Sequence, residues 1–148
     1  MHTCEPKTSK QPSLHISRNP TVVVIDDDID LLSATERRLR QDSINILTFS
    51  NARKALSYLL AGGVADLLIL DITMPEYDGV EFLTDLRLNR INLPIAIMSG
   101  WFVETLNLTA QLARLQGFNV VGEFEKPFDA KIVCEILNKL PGRSSNAS

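Results

Sequence analysis

Residues 21–28, Thr21-Val22-Val23-Val24-Ile25-Asp26-Asp27-Asp28, form an apolar, β-branched run that stops at three aspartates. A strand in the middle of a parallel sheet is covered on both faces, so it reads as a continuous apolar run rather than an alternation. The same form recurs downstream. Residues 67–70 end at Asp71, residues 95–98 follow Pro94 and end at Ser99-Gly100, and residues 120–124 end just before Lys126-Pro127. Residues 44–49 supply a further strand.

Longer amphipathic stretches separate these runs. A first helix begins near Ile29 and runs to Gln41, with Leu32, Thr35 and Leu39 at helical spacing and Glu36, Arg37, Arg38 and Arg40 between them. Ser50 is placed to cap a second helix over residues 51–61, with Ala52, Leu56 and Leu59 or Leu60 on one side and Gly62-Gly63 as its stop. A third helix, residues 80–89, is entered through the turn-rich MPEYDG. A fourth, residues 103–116, carries Leu106, Ala110 and Ala113 as its inward stripe and ends at Gly117. Asp129 caps a fifth, where Ile132, Ile136 and Leu140 lie four apart beside Val133 and Leu137. Five strand–helix units in succession predict an α/β protein around a parallel sheet. No internal repeat is visible.

The flanks differ from this body. Residues 1–20 hold Pro6, Pro12 and Pro20 and show neither strand nor helix periodicity, so a disordered leader is expected, and residues 141–148 read as a disordered tail. The domain is expected over residues 21–140. The chain has 148 residues and a net charge of -3, but residues 1–20 sum to +2 and residues 141–148 to +1, which leaves the body at -6. An acidic body argues against a broad phosphate-tracking surface for nucleic acid. No apolar run reaches the roughly 20 residues of a membrane span, and no secretory h-region is present, so a cytoplasmic protein is expected. Cys4 and Cys134 alone make no disulfide framework or zinc site, and Cys134 falls in an apolar pattern that suits core packing. Both histidines, His2 and His15, lie in the leader, which removes histidine-dependent nucleophilic chemistry built from the body.

Chemistry concentrates where strands end. Asp26 and Asp27 follow the first strand, Asp71 the third, Ser99 the fourth and Lys126 the fifth. In a parallel sheet these ends share one edge, and ligands of open α/β folds bind outside it where the strand order reverses. Three convergent carboxylates repel one another unless a cation sits among them. With only oxygen donors at hand, Mg²⁺ suits the cluster better than Ca²⁺, because Mg²⁺ takes one or two carboxylates, keeps waters and serves phosphate chemistry. A carboxylate held beside Mg²⁺, with a lysine and a hydroxyl near, is arranged to attack phosphorus and form an aspartyl phosphate. Asp71 is the candidate nucleophile. Lys126 would hold one phosphoryl oxygen, and the Ser99 hydroxyl would donate to another once the phosphate is present.

Four pieces, VVVIDDD, LLILDITMPEYDG, IMSG and EKPF, together resemble the receiver domain of two-component response regulators over about residues 21–140. The resemblance implies a flavodoxin-like, doubly wound, five-stranded parallel sheet of order 2-1-3-4-5, the order for which a receiver is itself a standard example. It implies that Asp71 accepts a phosphoryl group from a histidine kinase or histidine phosphotransfer protein. Asp26, Asp27, Asp71 and the Thr73 backbone carbonyl would hold Mg²⁺, and Lys126-Pro127 would be cis, aiming the lysine at the site. It implies further that helix four, strand five and helix five form the surface through which receivers pair as homodimers or meet targets. Leu108, Leu112 and Leu115, which fall off the inward stripe of helix four, suit that use.

Two features depart from the family pattern. Receivers usually carry an aromatic three residues before the lysine, where this chain has Glu123, with Phe124 one place later. The stretch GFNVVGEFEKPF is also longer between its first glycine and the lysine than is common, in which it resembles receivers attached to cyclic-di-nucleotide signalling domains. Other residues have plainer readings: Asp28 and Asp30 as caps or solvated carboxylates, and Trp101 as packing or a partner contact. The expectation is a stand-alone, non-enzymatic phosphoacceptor switch whose output passes through another protein. The alternatives are a receiver-fold interaction module whose binding ignores phosphate, and a small phosphatase. The last lacks a cap domain, and Thr73 stands where such phosphatases carry a second acid.

Overall fold

The computed structural model describes residues 18–74, 79–100, 103–127 and 129–141. The expectations for residues 1–17, for the end of the tail, for Pro75 and Asp78 and for Trp101 lie outside the described residues. Five strands and five helices alternate: β1 (Thr21–Ile25), α1 (Ile29–Arg40), β2 (Asn45–Phe49), α2 (Ala52–Leu60), β3 (Leu67–Asp71), α3 (Gly79–Leu88), β4 (Ile95–Ser99), α4 (Val103–Leu115), β5 (Val120–Glu125) and α5 (Ala130–Lys139). The strands form one parallel sheet in the order β2-β1-β3-β4-β5, as the resemblance implied. Every residue of β1, β3 and β4 is buried, which is why these runs show no polar alternation.

Two apolar layers cover the sheet. Side chains from α2, α3 and α4 pack on one face around Phe82, Leu86, Leu106 and Ala110. Those from α1 and α5 pack on the other, around Leu32, Leu39, Val133, Cys134 and Leu137. The order reverses beside β1: the chain goes outward to β2, then returns across β1 to begin β3. The C-terminal ends of β1 and β3 therefore lie side by side at the switch point.

Some local expectations are corrected. Asn51, not Ser50, caps α2; its side chain accepts from the Arg53 and Lys54 N–H groups while its own backbone stays extended. Leu59 is buried and Leu60 exposed. On α5 the inward residues are Ala130, Val133, Cys134 and Leu137, with Leu140 buried just past its end; of the apolar residues named from the sequence, Ile132 is exposed and Ile136 half-buried. Asp129 caps α5 as expected, accepting from the Lys131 N–H. Gly62 and Gly117 stand just past α2 and α4 at φ of +90° and +96°, the left-handed position that ends a helix. Ser43 and Arg90 adopt similar conformations after α1 and α3 without being glycine.

The GFNVVGEFEKPF stretch contains a bulge. Ile95 pairs with Val120, but Ala96 pairs with Gly122, so Val121 is an inserted residue that bulges the edge strand. After it, Ser99 and Glu125 are in register, and Lys126 N–H donates to the Ser99 carbonyl at 3.0 Å.

Candidate functional site

Each component of the site is carried by a strand end. Asp26 follows β1 and is fully buried, Asp71 ends β3 and is buried, and Asp27 is exposed at the mouth. Ligand oxygens of Asp26, Asp27 and Asp71 all lie within 4.8 Å of one another. Lys126 reaches in from the end of β5, its Nζ 2.7 Å from Asp26 Oδ2 and 2.8 Å from Asp71 Oδ2. Its stem runs over Gly100, where an added Cβ would sit 3.4 Å from Lys126 Cδ. The Lys126-Pro127 peptide is cis. Ser99 is buried at the end of β4. The five strand-end residues selected from the sequence, Asp26, Asp27, Asp71, Ser99 and Lys126, thus gather at one sheet edge.

The remaining donors come from backbone and from one hydroxyl. Asp28 N–H donates to Asp26 Oδ1 at 2.9 Å, while the Asp28 side chain turns away to cap α1 by accepting from the Leu31 N–H. Asp28 is therefore a cap, as read. Asp71 Oδ1 accepts from the Thr73 N–H at 2.9 Å and from the Thr73 hydroxyl at 2.7 Å. The hydroxyl contact was missed in the sequence, because spacing does not show which way the Thr73 side chain turns. Gly79 was read only as part of a loop. Here it opens α3 against the backbone beyond Asp71, where an added Cβ would come within 2.8 Å of Ile72 Cα.

Burial and charge pull in opposite directions. Burial pushes the Asp26 carboxyl up to about 6, with the Asp71 charge adding to the rise; Lys126 and the Asp28 N–H only partly offset it. Burial pushes Asp71 up too, but Lys126 and the two Thr73 donors outweigh it and hold that carboxyl below its ordinary value. Burial would lower Lys126, yet its contacts with Asp26 and Asp71 win and raise it. At neutral pH the site is a lysine ammonium held between two carboxylates.

The donor set fits a hard divalent cation. All ligands offered are oxygens, and no cysteine or histidine lies among them. Asp26 Oδ2 is fully buried, and its partner is the Lys126 ammonium 2.7 Å away, which Asp71 shares. One ammonium shared between two buried carboxylates, with the exposed Asp27 carboxylate beside them, leaves negative charge that a divalent ion would neutralise.

Fold and site define a flavodoxin-like α/β protein with an acidic, oxygen-only centre and one lysine at its topological switch point. A family model described as the response regulator receiver domain matches residues 22–138. Transcriptional regulatory protein PrrA of Mycobacterium tuberculosis is 36% identical over 82 residues, 55% of this chain and 35% of that protein. Transcriptional regulatory protein FlgR of Helicobacter pylori is 33% identical over 117 residues, 78% of this chain and 28% of that protein. The chain thus spans about a third of the length of these curated relatives. Among solved structures, the response regulator receiver protein from Burkholderia phymatum shares 28% identity at a TM-score of 0.68, covering 81% of this chain and 96% of that one. Its counterpart from Pseudomonas putida shares 25% at 0.70, covering 84% and all of the other chain. The chain belongs to the response regulator receiver domain family.

Membership in that family supports a phosphoacceptor role in two-component signalling. Among the described residues, no helix is long and apolar enough to cross a membrane.

Proposed function

We propose that Asp71 is the phosphoacceptor of a signalling switch, receiving its phosphoryl group from a histidine kinase or histidine phosphotransfer protein. The observation that carries this reading is the bridge of Lys126 Nζ to Asp26 and Asp71 at a buried strand end, which gathers a nucleophile, a cation and a metal-ready carboxylate. Mg²⁺ would be held by Asp26, Asp27, Asp71 and the Thr73 backbone carbonyl. When bound, it would neutralise charge on the transferring oxygens. Thr73 and Lys126 orient the Asp71 carboxylate, burial keeps bulk water from its inner side, and Lys126 supplies a charge-assisted donor for one phosphoryl oxygen. Ser99 would then donate its hydroxyl to a second oxygen, shifting a two-state equilibrium that alters protein binding.

The output surface we assign is α4 with β5 and α5, through an unidentified output protein or a homodimer. Leu108, Leu112 and Leu115 are 58%, 51% and 82% exposed, while Leu106, Ala110 and Ala113 face the core. The role is that of a signalling domain rather than a metabolic enzyme, assisting only its own Mg²⁺-dependent phosphorylation and dephosphorylation. The cytoplasmic location expected from the sequence is part of this proposal.

A second reading, an interaction module indifferent to phosphate, draws on Glu123. It occupies the usual aromatic position in β5 and ties to Arg114 of α4 at 2.9 Å, so an aromatic relay is replaced by an ion pair. Incubation with acetyl phosphate and Mg²⁺, followed by intact mass spectrometry, tests the chemistry. One phosphoryl adduct in the wild type and none in Asp71→Asn is the expected result; equal partner binding with and without that adduct would favour the second reading.

A further inference from the structure

We infer that Cys134 is tied by a disulfide to Cys4, so that the basic leader is fastened to the body when the pair is oxidised and released when it is reduced. Cys134 is disulfide-bonded, and no cysteine among the described residues is free. The sequence holds one other cysteine, Cys4, which lies outside the described residues, so within one chain the pairing is Cys4 with Cys134. One bond is no multi-bridge framework, but this one closes a loop around almost the whole chain.

The body's half of the bond lies within the leader's reach. Cys134 sits on the inward side of α5, with its Sγ 3.8 Å from Asp42 Oδ2. Asp42 follows α1, is itself buried, and is paired with Arg38 at 2.7 Å. Three residues later the Asn45 N–H donates to the Pro20 carbonyl at 2.8 Å, and Arg18 holds Asp66 through two bonds of 2.7 and 2.9 Å. Residues 18–20 are therefore pinned at the N-terminal ends of the strands, a few residues along the chain from the aspartate that touches Cys134. From Arg18 back to Cys4 is 14 residues, and a chain of that length spans up to roughly 45 Å when extended, so length does not forbid the bond. A leader at +2 also suits a body at -6. Asp71 ends β3 at the opposite, C-terminal edge of the sheet, so the tether stands apart from the phosphoacceptor reading. Formation balances as thiol–disulfide exchange: the two thiols give up two protons and two electrons to a low-molecular-weight disulfide such as oxidised glutathione, the Sγ–Sγ bond forms, and the S–S bond of the small disulfide breaks to leave two thiols.

The test equilibrates the full chain with oxidised glutathione or with excess dithiothreitol, then measures intact mass before and after brief digestion with trypsin. The oxidised chain is expected to be monomeric, about 2 Da lighter than the reduced one, and closed to alkylation even when unfolded. Cleavage after Lys7 or Lys10 should leave the Cys4 peptide attached until dithiothreitol frees it. Cys4→Ser, which leaves α5 untouched, is expected to lose both the mass shift and the attachment and to show one alkylatable thiol on unfolding. A Cys134 thiol that alkylates in the unfolded oxidised wild type overturns the inference, as does a glutathione adduct in place of the cross-link or a covalent dimer joined through Cys4.

Discussion

Asp26 is held as a fully buried carboxylate whose pKa in the folded protein, about 6, lies above its ordinary value. Because the folded value is the higher one, the group opposes folding above about pH 6, and the opposition fades as pH falls toward the ordinary carboxylate range. Asp26→Asn keeps the acceptor for the Asp28 N–H and removes the charge. In a chelator at pH 7 it is expected to be more stable than the wild type, on the order of 1 kcal/mol, with the gap closing toward pH 4. Urea denaturation at both pH values checks this. Lys126 works the other way. Its removal leaves two buried carboxylates face to face, so Lys126→Met is expected to cost about 3 kcal/mol without metal, and Mg²⁺ should recover part of the loss because it restores a cation between them. A loss that Mg²⁺ does not touch would mean that the acidic cluster does not take the ion.

That strand-end residues far apart in sequence would meet at one edge was legible for a physical reason. A polar residue that terminates an apolar run is visible in one dimension, and a parallel sheet brings such ends together whatever the loop lengths. The Thr73 hydroxyl and the close approach of Gly79 to Ile72 were not legible, because they depend on turn geometry rather than on spacing.

At the scale of elements, inward and outward faces set what a substitution costs. On α5 the inward residues are Val133, Cys134 and Leu137, and Leu137 is 2% exposed. Leu137→Ala is expected to cost 2–4 kcal/mol, within the range of buried leucine truncations, whereas Ile132→Ala should cost under ~1 kcal/mol. Paired thermal or urea melts separate the two. The sequence named Ile132, Ile136 and Leu140 beside Val133 and Leu137 without separating them, because α5 is apolar on more than one side and periodicity alone does not say which side meets the sheet; Val133, Leu137 and Leu140 are the buried ones. On α4 the ambiguity resolved the other way: the leucines off the stripe are solvent-facing, as their spacing suggested. The Arg114–Glu123 pair joins α4 to β5, with side chains 47% and 26% exposed. Arg114→Ala is expected to lower stability by less than ~1 kcal/mol, with the difference shrinking further in high salt. A larger, salt-independent loss would show that α4 is held to the sheet by this pair rather than by Leu106, Ala110 and Ala113.

For the whole molecule, the order β2-β1-β3-β4-β5 is what turns scattered residues into a site. Asp26 and Asp71 are adjacent because β1 and β3 pair, and Lys126 arrives from the far edge because it directly follows Glu125, the β5 residue in register with Ser99. That a parallel sheet would form was legible from strand and helix alternation; the strand order came from family resemblance, since the apolar runs are too alike to say which pairs with which. A ligand that binds only the folded chain stabilises it, by about 2.7 kcal/mol at a hundredfold excess over its dissociation constant. Mg²⁺ titration is therefore expected to raise the melting temperature by several degrees in the wild type and much less in a variant carrying both Asp26→Asn and Asp71→Asn.

The central claim is that Asp71 carries the phosphoryl group, and locating the acyl phosphate tests it most directly. The protein is treated with acetyl phosphate and Mg²⁺, reduced with borohydride to mark the acyl phosphate, digested and sequenced by tandem mass spectrometry. The account predicts a mark at residue 71 alone, absent when Mg²⁺ is chelated; a mark on another carboxylate, or one indifferent to Mg²⁺, would contradict it.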